Sequence, residues 1–187
     1  MSRLSRTLAA IDAANSADPD RRDGRPAALL YGERMSDELS RFCPDASELL
    51  QIAVRGQHIE RWTSPRASYP EGRGGYLLWR SDLAAFHARR VGEIMAGTGY
   101  GRDEISRAKM MLRKQGIKRD PEVQTLEDVA CFTFLRWYFL PFAAGKTPEA
   151  MNRIVTRTAR KMSAAARKRA LSEFDLPASL SPAFRID

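Results

Sequence analysis

The most apolar stretch of the chain runs from Val129 to Phe142, where only Thr133 and Arg136 interrupt nonpolar side chains. A helix apolar on every side is a buried one. This run is too short and too interrupted to span a bilayer, so it predicts the central helix of a bundle. Elsewhere apolar residues recur at helical spacing and punctuation sets the ends. Ser2–Ser16 reads as a helix, ended by the polar run 17–26. Pro26 opens a second helix, which Pro44 stops. Asp45 and Glu48 make a capping-box pair for a third, running to about Trp62. Pro65, Pro70, Gly72, Gly74 and Gly75 mark a loop. Tyr76 to about Ala96 reads as a long helix stopped by Gly97 and Gly99, and Asp103–Gln115 as another closed by Gly116. Asp120-Pro121 starts the central helix, Pro141 ends or kinks it, Thr147-Pro148 starts a basic helix, and Ser163 caps a short last one. No segment alternates with period two for long enough to be a strand. The expectation is an all-α, single-domain bundle of seven or eight helices. Residues 1–25 form an N-terminal helix and polar linker, 26–176 the bundle, and 177–187 an irregular tail.

Composition narrows the setting. A chain of 187 residues with 43% hydrophobic content and a mean hydropathy of −0.44 has enough material for one good core. No apolar segment follows Arg3 and Arg6 as a signal peptide would require. Cys43 and Cys131 stand at no metal-like spacing, and Cys131 falls in the buried run. A reducing, cytoplasmic location without a membrane partner is expected. The net charge of +8 is concentrated: between Lys146 and Arg169 eight basic residues face Glu149 alone. Such a face is either solvated or attracts nucleic acid, and RNA is the partner to consider for Arg153, Arg157, Arg160 and Lys161.

Candidate chemistry gathers where inward helical faces turn polar. His58 and His87 are the chain's two histidines. At 100° per residue His87 shares a stripe with Tyr76, Arg80, Leu83, Val91 and Ile94. The face set by Leu50, Ala53 and Val54 continues into Gln57, His58 and Arg61. On the central helix Asp128 shares a line with Gln124, Phe132, Leu135 and Phe139. Each histidine alone is a satisfied core residue, and Asp128 alone a buried ion pair. Together the three fit a metal site for Fe, Mn or Zn, with Glu127 as a supporting group or base. Arg61, Arg66 and Arg80 are suited to phosphate or carboxylate, Tyr69 to stacking on a ring, and Gln57 joins them as a substrate-binding candidate. Trp62 and Trp79 read as pins for the 63–75 loop. Gly145-Lys146-Thr147 lacks the first glycine of a P-loop, and no Glu-x-x-His occurs anywhere.

Several motifs carry a resemblance. They include IDAANSADP at 11–19, LLYGERM at 29–35, PDASELLQIA at 44–53, QHIERW at 57–62, SPRASYPEGRGGYLLWRSDL at 64–83, FHARR at 86–90, QTLEDVACFTFL at 124–135 and RKMS at 160–163. From Ile11 to about Ala170 the chain resembles the family of domain of unknown function 4202, a name that implies no activity. More distantly its layout is similar to HD-domain metal phosphohydrolases. That resemblance implies a helical bundle with His58 as the first histidine, His87 as the histidine of the His-Asp pair and Asp128 as the last aspartate. The residue after His87 is Ala88, not the aspartate of that pair. Two functions follow as expectations. One is a metal-dependent phosphohydrolase acting on a nucleotide or small phosphoester. The other is a non-catalytic RNA- or partner-binding module that works through its basic C-terminal helices.

Overall fold

The computed structural model describes residues 1–174 and 176–185. It is all-α apart from one minimal hairpin, and it divides into two compact units, Met1–Gly116 and Ile117–Asp187. The hairpin pairs β1 (Arg21–Arg22) with β2 (Arg25–Pro26). Asp23 and Gly24 between them both take positive φ, the two-residue turn that Asp-Gly favours.

The first unit begins with α1 (Arg3–Asn15) and continues through the hairpin into α2 (Ala27–Phe42). Pro26 provides no side-chain cap; the buried carboxylate of Asp18 accepts from the amide of Ala28 instead, at 2.8 Å. Helix α3 (Glu48–Arg55) is capped by Ser47 rather than Asp45, and it ends at Gly56, well short of Trp62. Gly56 has no room for a Cβ, which would run into Val91 on the next long helix. The close approach that this glycine permits brings the turn 56–60 down onto that helix. Two short 3-10 turns follow, at Arg61–Thr63 and Arg66–Ser68.

Helix α4 (Gly72–Gly97) is the unit's longest element and packs against α5 (Arg102–Leu112). It starts a full turn before Tyr76, because the loop ahead of it is stapled to its first turns. Trp79 Nε1 donates to the Ser64 carbonyl at 2.9 Å, Arg66 donates to the carbonyls of Tyr69 and Gly72, and the Tyr69 hydroxyl donates to Asp82. At Gly75 a Cβ would overlap the Pro70 carbonyl. The buried stripe of α4 is Leu83, His87, Ala88, Val91, Gly92 and Met95. Tyr76, expected on that stripe, stands half exposed with Leu77 and Leu78, since these turns extend past the helices that cover the stripe farther along.

The second unit begins with α6 (Pro121–Thr133), capped by Asp120 through the amides of Glu122 and Val123. At Phe134–Tyr138 the helix widens to a π-turn and then resumes as α7 (Phe139–Ala143). The apolar run is therefore not buried on all sides. Leu135 and Phe139 are buried, whereas Leu140 is 72% and Phe142 41% exposed. Helices α8 (Pro148–Lys161) and α9 (Ala164–Glu173) follow, capped by Thr147 and Ser163. The stretch read as an irregular tail contains a 3-10 turn, Ser181–Phe184, with Leu180 and Phe184 buried. Its last two residues lie outside the described ones. Among the described residues no helix is long and apolar enough to cross a membrane.

Candidate functional site

The first unit contains a cavity of about 450 Å³ at the meeting point of the 56–60 turn, the middle of α4 and the C-terminal end of α5. Gln57, His58 and Arg61 reach it from the turn, Arg80 and His87 from α4, and Arg113 and Lys114 from the end of α5. Leu83, Ala84, Ala85 and Leu112 supply apolar wall. Arg80 and His87 are seven residues apart on one helix, so two turns of α4 place both on the same side.

The turn that carries His58 is fixed at both ends. Gly56 lies against α4, and Glu60 takes a left-handed φ of 49°. A non-glycine residue pays for that conformation unless its surroundings enforce it. Here the Glu60 amide donates to the buried Asn15 side chain at 3.0 Å, and its carboxylate accepts from Arg90 at 2.7 Å. Farther back, Arg55 holds Asp12 through two parallel bonds of 2.6 and 2.7 Å, which tie α3 to α1. Lys114 is also left-handed, with φ of 55°, at the helix end where glycine or asparagine is usual. Both strained residues flank the cavity.

The His58 ring stacks on Tyr31 at 4.0 Å between centroids and lies 5.8 Å from the ring of His87. His87 is 3% exposed, and its Nε2 has no hydrogen-bond partner among the described residues. Burial pushes the His87 imidazole down to about 3, with Arg61 and Arg80 adding to the effect. His58 is held well below its ordinary value by burial first, then by Arg61, His87, Arg80 and Lys114. Both rings are therefore neutral at neutral pH. Arg61 is lowered as well, by burial and by Arg80, while its guanidinium lies 4.7 Å over the Trp79 ring. The Gln57 side-chain oxygen is buried and unpaired among the described residues.

The cavity thus brings together five of the residues expected from sequence: Gln57, His58, Arg61, Arg80 and His87. Arg66 and Tyr69 lie in the loop ahead of α4, bound to its backbone and to Asp82, and do not line it. Asp128 and Glu127 belong to the second unit, where each has its own partner. Asp128 Oδ1 accepts from Gln124 Nε2 at 2.9 Å and from the Ser163 amide at 2.8 Å, and burial raises the carboxyl above its ordinary value. Glu127 lies 3.5 Å from Lys161 Nζ. On α8, Arg153, Arg157 and Arg160 are exposed. Sequence periodicity missed Arg113 and Lys114, because they follow the last turn of α5 and belong to no stripe. The one clue was Gly116 closing the segment directly after them.

The donor set decides what the cavity fits. Among the described residues its lining has four cationic side chains, two neutral imidazoles and no carboxylate or thiolate. No group of three or more His, Cys, Asp or Glu side chains among them could hold a metal ion. A cation entering this lining would meet Arg61, Arg80, Arg113 and Lys114 and no carboxylate among the described lining residues, so these residues alone do not fit a metal centre. They fit an anion. Fold and site together define an all-α protein with a cationic pocket in its first unit. The chain belongs to the family described as "Domain of unknown function (DUF4202)", whose profile matches residues 5–183. Neither a curated protein nor a solved structure matches it.

Proposed function

We propose that the first unit binds an anionic small molecule, a phosphoester or nucleotide, in the cavity between the 56–60 turn, α4 and α5. One observation carries this reading: Arg61, Arg80, Arg113 and Lys114 converge on one cavity whose described lining has no acidic residue. Like charges kept together repel one another, and a phosphate relieves that repulsion while accepting their N–H groups. Arginine offers a planar fork matched to phosphate, and lysine adds a point charge. Partial burial of Arg61, Arg80 and Lys114 strengthens their interactions relative to water, while Arg113 acts from the exposed rim. The neutral imidazoles add hydrogen bonds without competing for the anion's charge. Among the described residues the lining has no carboxylate or thiolate to hold an ion for metal-assisted hydrolysis.

Isothermal titration with inorganic phosphate and pyrophosphate, with and without added Mn²⁺, tests the reading. Binding is expected without the ion. Arg80→Ala and Arg61→Ala should each weaken it by roughly ten- to a hundredfold, the worth of a hydrogen bond to a charged group. Binding that needs Mn²⁺ and survives both substitutions would overturn the anion pocket in favour of a metal site.

A second reading rests on α8. Arg153, Arg157 and Arg160 occupy its exposed face, while Met151, Val155 and Ala159 are buried. Spacings of four and three residues set these arginines about 6 and 4.5 Å apart along the axis, a ladder suited to the phosphates of RNA.

A further inference from the structure

We infer that the ligand of the first unit's cavity is a phosphomonoester whose carbon skeleton carries a hydroxyl group, with Gln57 as the residue that selects for it. The inference rests on the anion-pocket reading above and narrows it. The cationic side chains of the lining, Arg61, Arg80, Arg113 and Lys114, can only donate hydrogen bonds. They match acceptor oxygens such as those of a phosphate, and offer no acceptor to a hydroxyl proton. Beside them stand two buried polar groups of a different kind. Gln57 is 6% exposed, and its side-chain oxygen has no partner among the described residues. His87 is 3% exposed, and its Nε2 likewise has none.

An amide oxygen accepts and cannot donate, and a neutral imidazole carries one acceptor nitrogen. The Gln57 oxygen finds no match in a fully ionised phosphate, whereas the His87 imidazole, with one N–H and one acceptor nitrogen, can serve either group. Buried polar groups are nearly always paired, and an unpaired one is costly. The Gln57 oxygen therefore calls for a donor, which a ligand hydroxyl within reach of its phosphate supplies. Size agrees. At about 450 Å³ the cavity falls within the roughly 300–1,000 Å³ of small-molecule sites, so it has room for a carbon skeleton beside the phosphate. Leu83, Ala84 and Leu112 give that skeleton an apolar wall. The chemistry is that of a polyol or sugar phosphate, or of the sugar-phosphate part of a nucleotide.

Gln57 is well placed for this role. It directly follows Gly56, the residue that seats the turn on α4, so its backbone is fixed before any ligand arrives. A preset acceptor discriminates strongly, because a ligand lacking the donor leaves it buried and unpaired.

The test is calorimetric titration of the full chain with propyl phosphate, glycerol 3-phosphate, ribose 5-phosphate and adenosine 5′-monophosphate. The last two separate a sugar phosphate from a nucleotide as the source. At least one hydroxylated ligand should bind about tenfold more tightly than propyl phosphate, as one hydrogen bond to a buried acceptor provides. In Gln57→Met, which keeps the length and loses the acceptor, that advantage should collapse toward parity. Equal binding of propyl phosphate and every hydroxylated ligand by the wild type would overturn the inference while leaving the anion pocket intact. So would an advantage that persists in Gln57→Met. The wild-type comparison stands even if the variant fails to fold. Absence of binding by all four ligands would instead remove the anion pocket and this inference with it.

Discussion

His87 shows how much one residue's surroundings decide. It sits on the buried stripe of α4, its imidazole pushed down to about 3 by burial and by the nearby Arg61 and Arg80. The folded protein therefore binds a proton there less readily than the unfolded chain, whose histidine titrates near 6.5. A group depressed in this way stabilises the fold fully above the unfolded value. The contribution is lost as pH falls from about 6.5 toward about 3. By about pH 5 His87 alone should have cost about 2 kcal/mol, a sizeable part of the 5–15 kcal/mol that holds a typical domain. Urea denaturation at about pH 7.5 and about pH 5, on wild type and His87→Gln, measures this. The wild type should lose about 2 kcal/mol more than the variant over that interval. Equal losses would show that His87 titrates normally in the folded state. If the cavity holds a phosphate, that ligand should act oppositely by raising the imidazole.

At the scale of elements, α6 is organised around Asp128. The sequence posed the question of what faces a carboxylate inside an apolar helix, and within the second unit two N–H groups answer it. Through Ser163 the carboxylate braces the junction of α8 and α9, and Gln124 supports the same place by donating to the Lys161 carbonyl. Asp128→Ala removes the acceptor and should cost about 1–3 kcal/mol. Asp128→Asn keeps an oxygen for the Ser163 amide and should restore most of that loss. Thermal and urea unfolding compare the two, and phosphate titration should give the same affinity for both. If Asn behaves as badly as Ala and both abolish ligand binding, Asp128 is a ligand and not a brace. Element starts were legible in the sequence because caps are local: Asp120, Thr147 and Ser163 each cap the helix they announced. Ends were less legible. α3 stops at Gly56 because Val91, far along the chain, requires closeness there. No local pattern announced the π-turn at Phe134–Tyr138. The same division explains the site. The stripe of α4 revealed Arg80 and His87, whereas Arg113 and Lys114 enter only through the path the chain takes after α5.

The whole molecule carries a net charge of +8, concentrated in the second unit between Lys146 and Arg169. Charge alone retains a protein on any polyanion, so retention by itself says nothing about α8. A comparison at constant net charge does. Reversing Arg153, Arg157 and Arg160 to Glu takes +8 to +2 and inverts the exposed face of α8. Reversing Arg21, Arg73 and Arg102, exposed residues of the first unit, makes the same change elsewhere. Binding to a short RNA is then measured against salt concentration. For a single strand, the slope of log K against log salt falls by about 0.7 for every phosphate the protein ceases to neutralise. If α8 is the RNA surface, its triple variant should lose about two units of slope and most of its affinity, while the first-unit variant keeps the wild-type slope. Identical slopes in the two variants would leave the arginines of α8 as a solvated face. Neither triple variant should disturb the fold, because all six side chains are exposed and such substitutions usually stay within about 0.5 kcal/mol each. The phosphate titration serves as the internal control. The cavity's four cationic side chains belong to the first unit and none is among the six reversed, so small-phosphate binding should persist in both variants even where RNA binding is gone.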